Sequence, residues 1–148
     1  MRLIHILFAL TMLTYSSVFA DDDNFTIVDL AKTEKPLQEL IQFHVTQAEE
    51  KGQKIFVQLT AEWCVPCKNL RASMDKLIVR LAFEGTYIVR VDSDEWTNEL
   101  KDINIKLGAI PSFHQINSDG ISTNYSFSGT SSPTKLAPRL QRYFQNAN

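Results

Sequence analysis

The chain of 148 residues has two cysteines, Cys64 and Cys67, and only two residues separate them. Two thiols at this spacing can close a small disulfide, which an external thiolate can reopen. The pair lies between a short apolar run at residues 55–59 and an amphipathic segment, so a strand that turns into a helix positions it. At a helix N-terminus, unpaired N–H groups and the helix dipole favour a thiolate. This placement predicts dithiol redox chemistry.

The neighbouring residues suit this chemistry. Cys64, at the start of the helix, is predicted to be the nucleophile. Cys67 is predicted to be the resolving thiol, which attacks a mixed disulfide at Cys64 and releases the partner. Lys68 adds a nearby positive charge, and Pro66 fixes the backbone of the first turn. Trp63 is expected to shield Cys64 and to contact the substrate.

Other roles for the cysteines fit the sequence less well. A structural disulfide would stabilise little, because so short a loop removes little entropy from the unfolded chain. A copper or zinc site needs more ligands, and beyond the N-terminal segment the chain offers only His44 and His114. We therefore predict no metal and no cofactor besides the redox disulfide. A non-catalytic copper- or zinc-binding module is the alternative from a different functional class.

The first twenty residues have the pattern of a secretory signal peptide. Arg2 precedes an apolar stretch at residues 3–13, and small residues up to Ala20 are followed by three aspartates. We expect cleavage after Ala20 and a periplasmic or secreted protein, with an uncleaved membrane anchor as the alternative. No later apolar run is long enough to span a membrane.

Composition limits the remaining possibilities. Lys and Arg total 15 against 17 Asp and Glu, for a net charge of −2 without blocks of either sign, which argues against nucleic-acid binding. Length and a 44% hydrophobic content predict one domain over residues 21–148, expected to be a monomer.

Hydrophobic periodicity predicts alternating strands and helices. The predicted strands are residues 25–30, 55–59, 87–91, 113–116 and 122–127, and the predicted helices are residues 37–48, 70–81, 100–107 and 136–144. Turn residues at 117–120 predict a hairpin. Ser132 and Pro133 are a plausible helix start, and Pro138 implies a kink or a later start. The order predicts an α/β fold with a mixed central sheet flanked by helices on both faces.

Two runs, VQLTAEWCVPCK at residues 57–68 and GAIPSF at residues 108–113, resemble the thioredoxin superfamily. The resemblance implies a thioredoxin-like fold over the whole exported chain. It also implies a cis Ile110–Pro111 bond close to Cys64. The backbone of Ile110 and the loop at Gly129 would then line a groove that binds extended peptide as an added strand.

The chain departs from cytoplasmic thioredoxins at two positions. It has Gln58 where they have a buried aspartate and Thr60 where they have a tryptophan. That aspartate is assigned to proton transfer at the resolving cysteine, which leaves Glu62 or water as the proton acceptor here. Residues 60–65 are similar to the C-terminal domain of the membrane reductant conductor DsbD, and residues 64–67 to TlpA-like periplasmic reductants.

The resemblance implies a thiol-disulfide oxidoreductase acting on the thiols and disulfides of exported proteins. Pro66 and the DsbD-like run favour a reductant, recharged by a membrane thiol-electron donor. A periplasmic thiol oxidase or isomerase is the alternative within the same chemistry, because the same two sulfurs serve both directions.

Overall fold

The computed structural model describes residues 24–148. The predicted signal peptide lies outside these residues. The elements are β1 (Thr26–Asp29), α1 (Leu37–Glu50), β2 (Lys54–Thr60), α2 (Val65–Ala72), α3 (Leu77–Ala82), β3 (Thr86–Asp92), a 3₁₀ helix (Leu100–Ile103), β4 (Ser112–Ile116), β5 (Ser122–Ser128) and α4 (Pro133–Gln145). None of the described helices is both long and apolar enough to cross a bilayer.

The five strands form one mixed sheet in the order β1-β3-β2-β4-β5. β3 pairs in parallel with β1 and β2, whereas β4 runs antiparallel to both β2 and β5. Side chains alternate across the sheet, so Val57 and Leu59 join the core beneath α1 while Phe56 joins the core beneath α3 and α4. The predicted α/β fold, with helices on both faces of a mixed sheet, is confirmed.

The helix predicted over residues 70–81 is two helices, because α2 ends at Ala72 and α3 begins at Leu77. Ser73 is buried at the break, and its hydroxyl donates to the carbonyl oxygen of Leu70 at 2.9 Å. Such a bond competes with the helical pattern of backbone bonds. The break changes the buried face, since α3 buries Val79 and Ala82 and leaves Leu77 67% exposed.

Helix α4 begins at Pro133, as predicted, and continues through Pro138 to Gln145. The later start that Pro138 suggested is therefore not found. Pro138 is exposed, while Leu136 and Leu140 on the opposite side are buried against the sheet. Ser132 occupies the position before the helix but makes no capping hydrogen bond with its side chain.

Candidate active site

Cys64 and Cys67 form a disulfide at the N-terminus of α2. Cys64 precedes the first helical residue with an extended backbone, and its Sγ accepts the N–H of Cys67 at 3.2 Å. The two residues are only 2% and 4% exposed. In the reduced protein the same N–H group and the positive end of the helix dipole would favour a thiolate on Cys64. Cys64 as nucleophile and Cys67 as resolving thiol stay predictions.

A second loop reaches the disulfide because β4 lies beside β2. Leu59, near the end of β2, pairs with Ser112 at the start of β4, so the residues just before β4 lie next to those just after β2. The peptide bond between Ile110 and Pro111 in that loop is cis. Ile110 is 9% exposed and belongs to the same apolar cluster as the two cysteines. The two sequence runs that carried the resemblance therefore meet in space.

Gly129 brings a third loop to this region. Its N–H donates to the carbonyl oxygen of Pro111 at 3.4 Å. A Cβ atom at Gly129 would lie 2.7 Å from Cδ1 of Leu136 and 3.3 Å from the ring of Phe127. Close packing, and not backbone conformation, is thus what requires glycine here. The backbone of Gly129 is held against the proline loop, where the resemblance placed a groove wall.

Trp63 stands at the surface beside the disulfide. Its side chain is 65% exposed, and the indole Nε1–H donates to Oδ2 of Asp94 at 2.7 Å. Asp94 follows β3, in a turn where Oδ1 of Asp92 accepts the N–H groups of Asp94 and Glu95. The sequence reasoning missed this partner. The closely spaced aspartates after a predicted strand are a typical signal for such a turn.

A cleft of about 350 Å³ opens beside Cys67 and is named here the Cys67 cleft. Its lining residues are Thr60, Ala61, Glu62, Cys67, Lys68, Arg71 and Asp92. The cleft therefore holds two carboxylates and two cations next to the predicted resolving sulfur. Glu62 and Lys68, both predicted to act at the cysteine pair, line this side of the site.

A buried polar pair lies under α2. Nε of Arg90 donates to Oε1 of Gln58 at 3.2 Å, and the two residues are 9% and 3% exposed. Arg71 binds Asp29 at 2.8 Å, and Asp29 also lies 3.8 Å from Nη1 of Arg90. Burial lowers the pKa of Arg90, the positive charge of Arg71 lowers it further, and Asp29 opposes both effects. Sequence reasoning singled out Gln58 but not Arg90, whose position opposite it depends on strand register.

His44 and His114 each lie within hydrogen-bond distance of a hydroxyl group. Nδ1 of His44 lies 3.0 Å from the hydroxyl of Tyr87, and Nε2 of His114 lies 3.0 Å from the hydroxyl of Ser112. Burial lowers the pKa of both imidazoles. Within residues 24–148, no three His, Cys, Asp or Glu side chains form a group suited to a metal ion.

The comparisons with known proteins agree with this geometry. The family model for thioredoxin matches residues 22–142. A poplar thioredoxin h is 19% identical, with a TM-score of 0.51, and the alignment covers 84% of this chain and 99% of that one. A thioredoxin of Trichomonas vaginalis is 20% identical, with a TM-score of 0.51 and coverage of 79% and 96%. These two similarities concern the fold alone. No curated protein matches the chain.

Proposed function

Because this chain belongs to the thioredoxin family, we propose that it is a thiol-disulfide oxidoreductase whose redox centre is the Cys64–Cys67 pair. One observation carries the proposal. The disulfide lies at the N-terminus of α2 and shares an apolar cluster with Ile110, next to the cis proline Pro111. Disulfide exchange with a peptide requires a helix start that stabilises a thiolate and a neighbouring loop whose backbone can pair with the peptide.

The reducing reaction has two exchange steps. The Cys64 thiolate attacks a substrate disulfide, which forms a mixed disulfide and releases one substrate sulfur as a thiol after it takes a proton. The Cys67 thiolate then attacks Sγ of Cys64, which restores the Cys64–Cys67 disulfide and releases the second substrate thiol. The substrate gains two electrons and two protons, and the dithiol of the protein loses them.

The substrate would bind as an extended segment across the disulfide. The backbones of Ile110 and Gly129 would supply the edge with which it pairs, in the manner of an added strand. Trp63 and Val65, which are 65% and 62% exposed, would contact apolar side chains next to the reacting cysteine.

The proposed direction is reduction of disulfides in exported proteins, with a membrane thiol-electron donor that restores the dithiol. Pro66, the run at residues 60–65 and the predicted signal peptide support this direction. A measured potential near that of strong oxidases, about −120 mV, would contradict it and favour the oxidase or isomerase alternative.

Turnover of a protein disulfide tests the activity itself. The protein should catalyse the reduction of insulin by a chemical thiol, and Cys64→Ser should abolish this turnover. Cys67→Ser should retain the first attack and accumulate a mixed disulfide that mass spectrometry detects. Absence of turnover, together with stoichiometric copper or zinc on the reduced protein, would instead support the metal-binding module.

A further inference from the structure

Cys67 must lose a proton before it can resolve a mixed disulfide, because the thiolate and not the thiol is the nucleophile. The residue is only 4% exposed, and the Cys67 cleft is the described cavity that it lines. A volume of about 350 Å³ exceeds the roughly 30 Å³ that one water occupies in the liquid, so water can enter. A proton can therefore leave Cys67 through this cleft.

Among the described residues, the polar side chains of the sheet that lie beneath α2 and do not line the cleft cannot take this proton. Gln58 is a neutral amide whose oxygen already accepts from Arg90, and Arg90 is itself a cation. Asp29 of β1, an acid outside the cleft, binds Arg71 through both carboxylate oxygens, at 2.8 and 3.3 Å. The acceptor must therefore be sought among the groups that line the cleft.

Two carboxylates line the cleft, and they are held differently. Glu62 is exposed in the loop before Cys64. Asp92 is half-buried at the end of β3, where it pairs in register with Thr60 of the neighbouring strand. Its Oδ1 accepts the N–H groups of Asp94 at 2.9 Å and Glu95 at 3.2 Å. These bonds fix the carboxylate at the cleft wall, and a group held in one orientation loses less entropy when it acts on its partner.

We propose that Asp92 is the general base for Cys67, which it serves through water in the Cys67 cleft. As Sγ of Cys67 attacks Sγ of Cys64, its proton passes through water to the Asp92 carboxylate, and the bond from Cys64 to the substrate sulfur breaks. The departing substrate thiolate takes a proton from solvent, and Asp92 later returns its proton to solvent. The inference rests on the proposed function, since it assigns a role within that exchange.

The two exchange steps can be measured separately with a reagent disulfide that releases thionitrobenzoate. Release of the first equivalent of thionitrobenzoate reports attack by Cys64, and release of the second equivalent reports resolution of the mixed disulfide by Cys67. Asp92→Asn should slow the second release about 100-fold at neutral pH, the lower end of the usual range for general base catalysis, and should leave the first release unchanged. Asp92→Glu should recover part of the lost rate.

The pH profile separates this role from a structural one. As the pH rises beyond about 8.5, the reference value for a cysteine, hydroxide increasingly replaces the base and the difference between Asp92→Asn and the native protein should shrink. The charged groups that face Asp92 are Glu62 from the preceding loop, Lys68 and Arg71 from α2, and Asp94 and Glu95 from its own turn. All of these groups are retained in Asp92→Asn, so the comparison with the native protein reports the contribution of the Asp92 carboxylate.

Asp102→Asn, a change at an exposed aspartate on the 3₁₀ helix, is the matched control and should leave both steps unchanged. The proposal is overturned if Asp92→Asn resolves the mixed disulfide at the native rate from neutral pH upward. It is also overturned if Glu62→Gln slows the second release and Asp92→Asn does not. Failure of the proposed function looks different, because the native protein itself would then release no second equivalent.

Discussion

Replacement of Gly129 by alanine tests whether close packing holds the third loop of the site. The added methyl group would lie 2.7 Å from Cδ1 of Leu136 on α4 and 3.3 to 3.4 Å from two ring atoms of Phe127 on β5. Leu136 is 2% exposed, so its side chain has little free space into which to move. Overpacking of this kind typically costs about 1–3 kcal/mol. We expect Gly129→Ala to lower the free energy of unfolding by that amount.

Urea unfolding of the oxidised protein measures the effect as a lower midpoint at an unchanged slope. Gly108→Ala is the matched control, because a Cβ atom there meets nothing within 4 Å and the backbone is not left-handed. That change should be neutral or stabilising by about 0.4–1 kcal/mol.

A double-mutant cycle identifies the cause. Leu136→Ala removes the atom that the new methyl group would meet, so Gly129→Ala should cost much less in that background than in the native protein. Equal midpoints for Gly129→Ala and the native protein would refute the packing argument. An equal cost in the Leu136→Ala background would assign the loss to the ring of Phe127 or to the backbone.

Two further predictions concern stability. Pro138→Ala should raise the free energy of unfolding in urea titrations by up to about 3 kcal/mol, because an exposed proline inside α4 denies an N–H to the carbonyl of Thr134. An unchanged or lower free energy of unfolding would show that the proline fits the helix without cost. Burial lowers the pKa of His114, so as the pH falls the unfolded chain binds a proton at this residue before the folded protein does. The free energy of unfolding should therefore fall below about pH 6.5 and level off below the folded-state pKa. His114→Asn should reduce this loss of stability between about pH 7 and 5. His44, whose pKa is also lowered, would account for the part that remains. An unchanged pH dependence would exclude His114 as a cause of the loss.

Local patterns were sufficient for the redox pair and for most of the elements. A short apolar run at residues 55–59, followed by a helix period after Cys64, places that thiol at a helix start, since both signals arise from residues close together in the chain. The same approach failed between residues 72 and 77. There the apolar spacing continued, but the buried hydroxyl of Ser73 bonds the backbone and the following helix buries Val79 and Ala82.

The residues 57–68 thus specify the sulfur chemistry without reference to the rest of the fold, because two cysteines at one helix start need only local backbone to form a disulfide. The surroundings of that disulfide arise from contacts between distant segments. Arg90 meets Gln58 through strand register, Gly129 meets Pro111 through a loop contact, and Asp92 joins the Cys67 cleft from the end of another strand. Each pairing depends on which strands lie side by side, whereas hydrophobic periodicity identifies each element without saying which strands become neighbours.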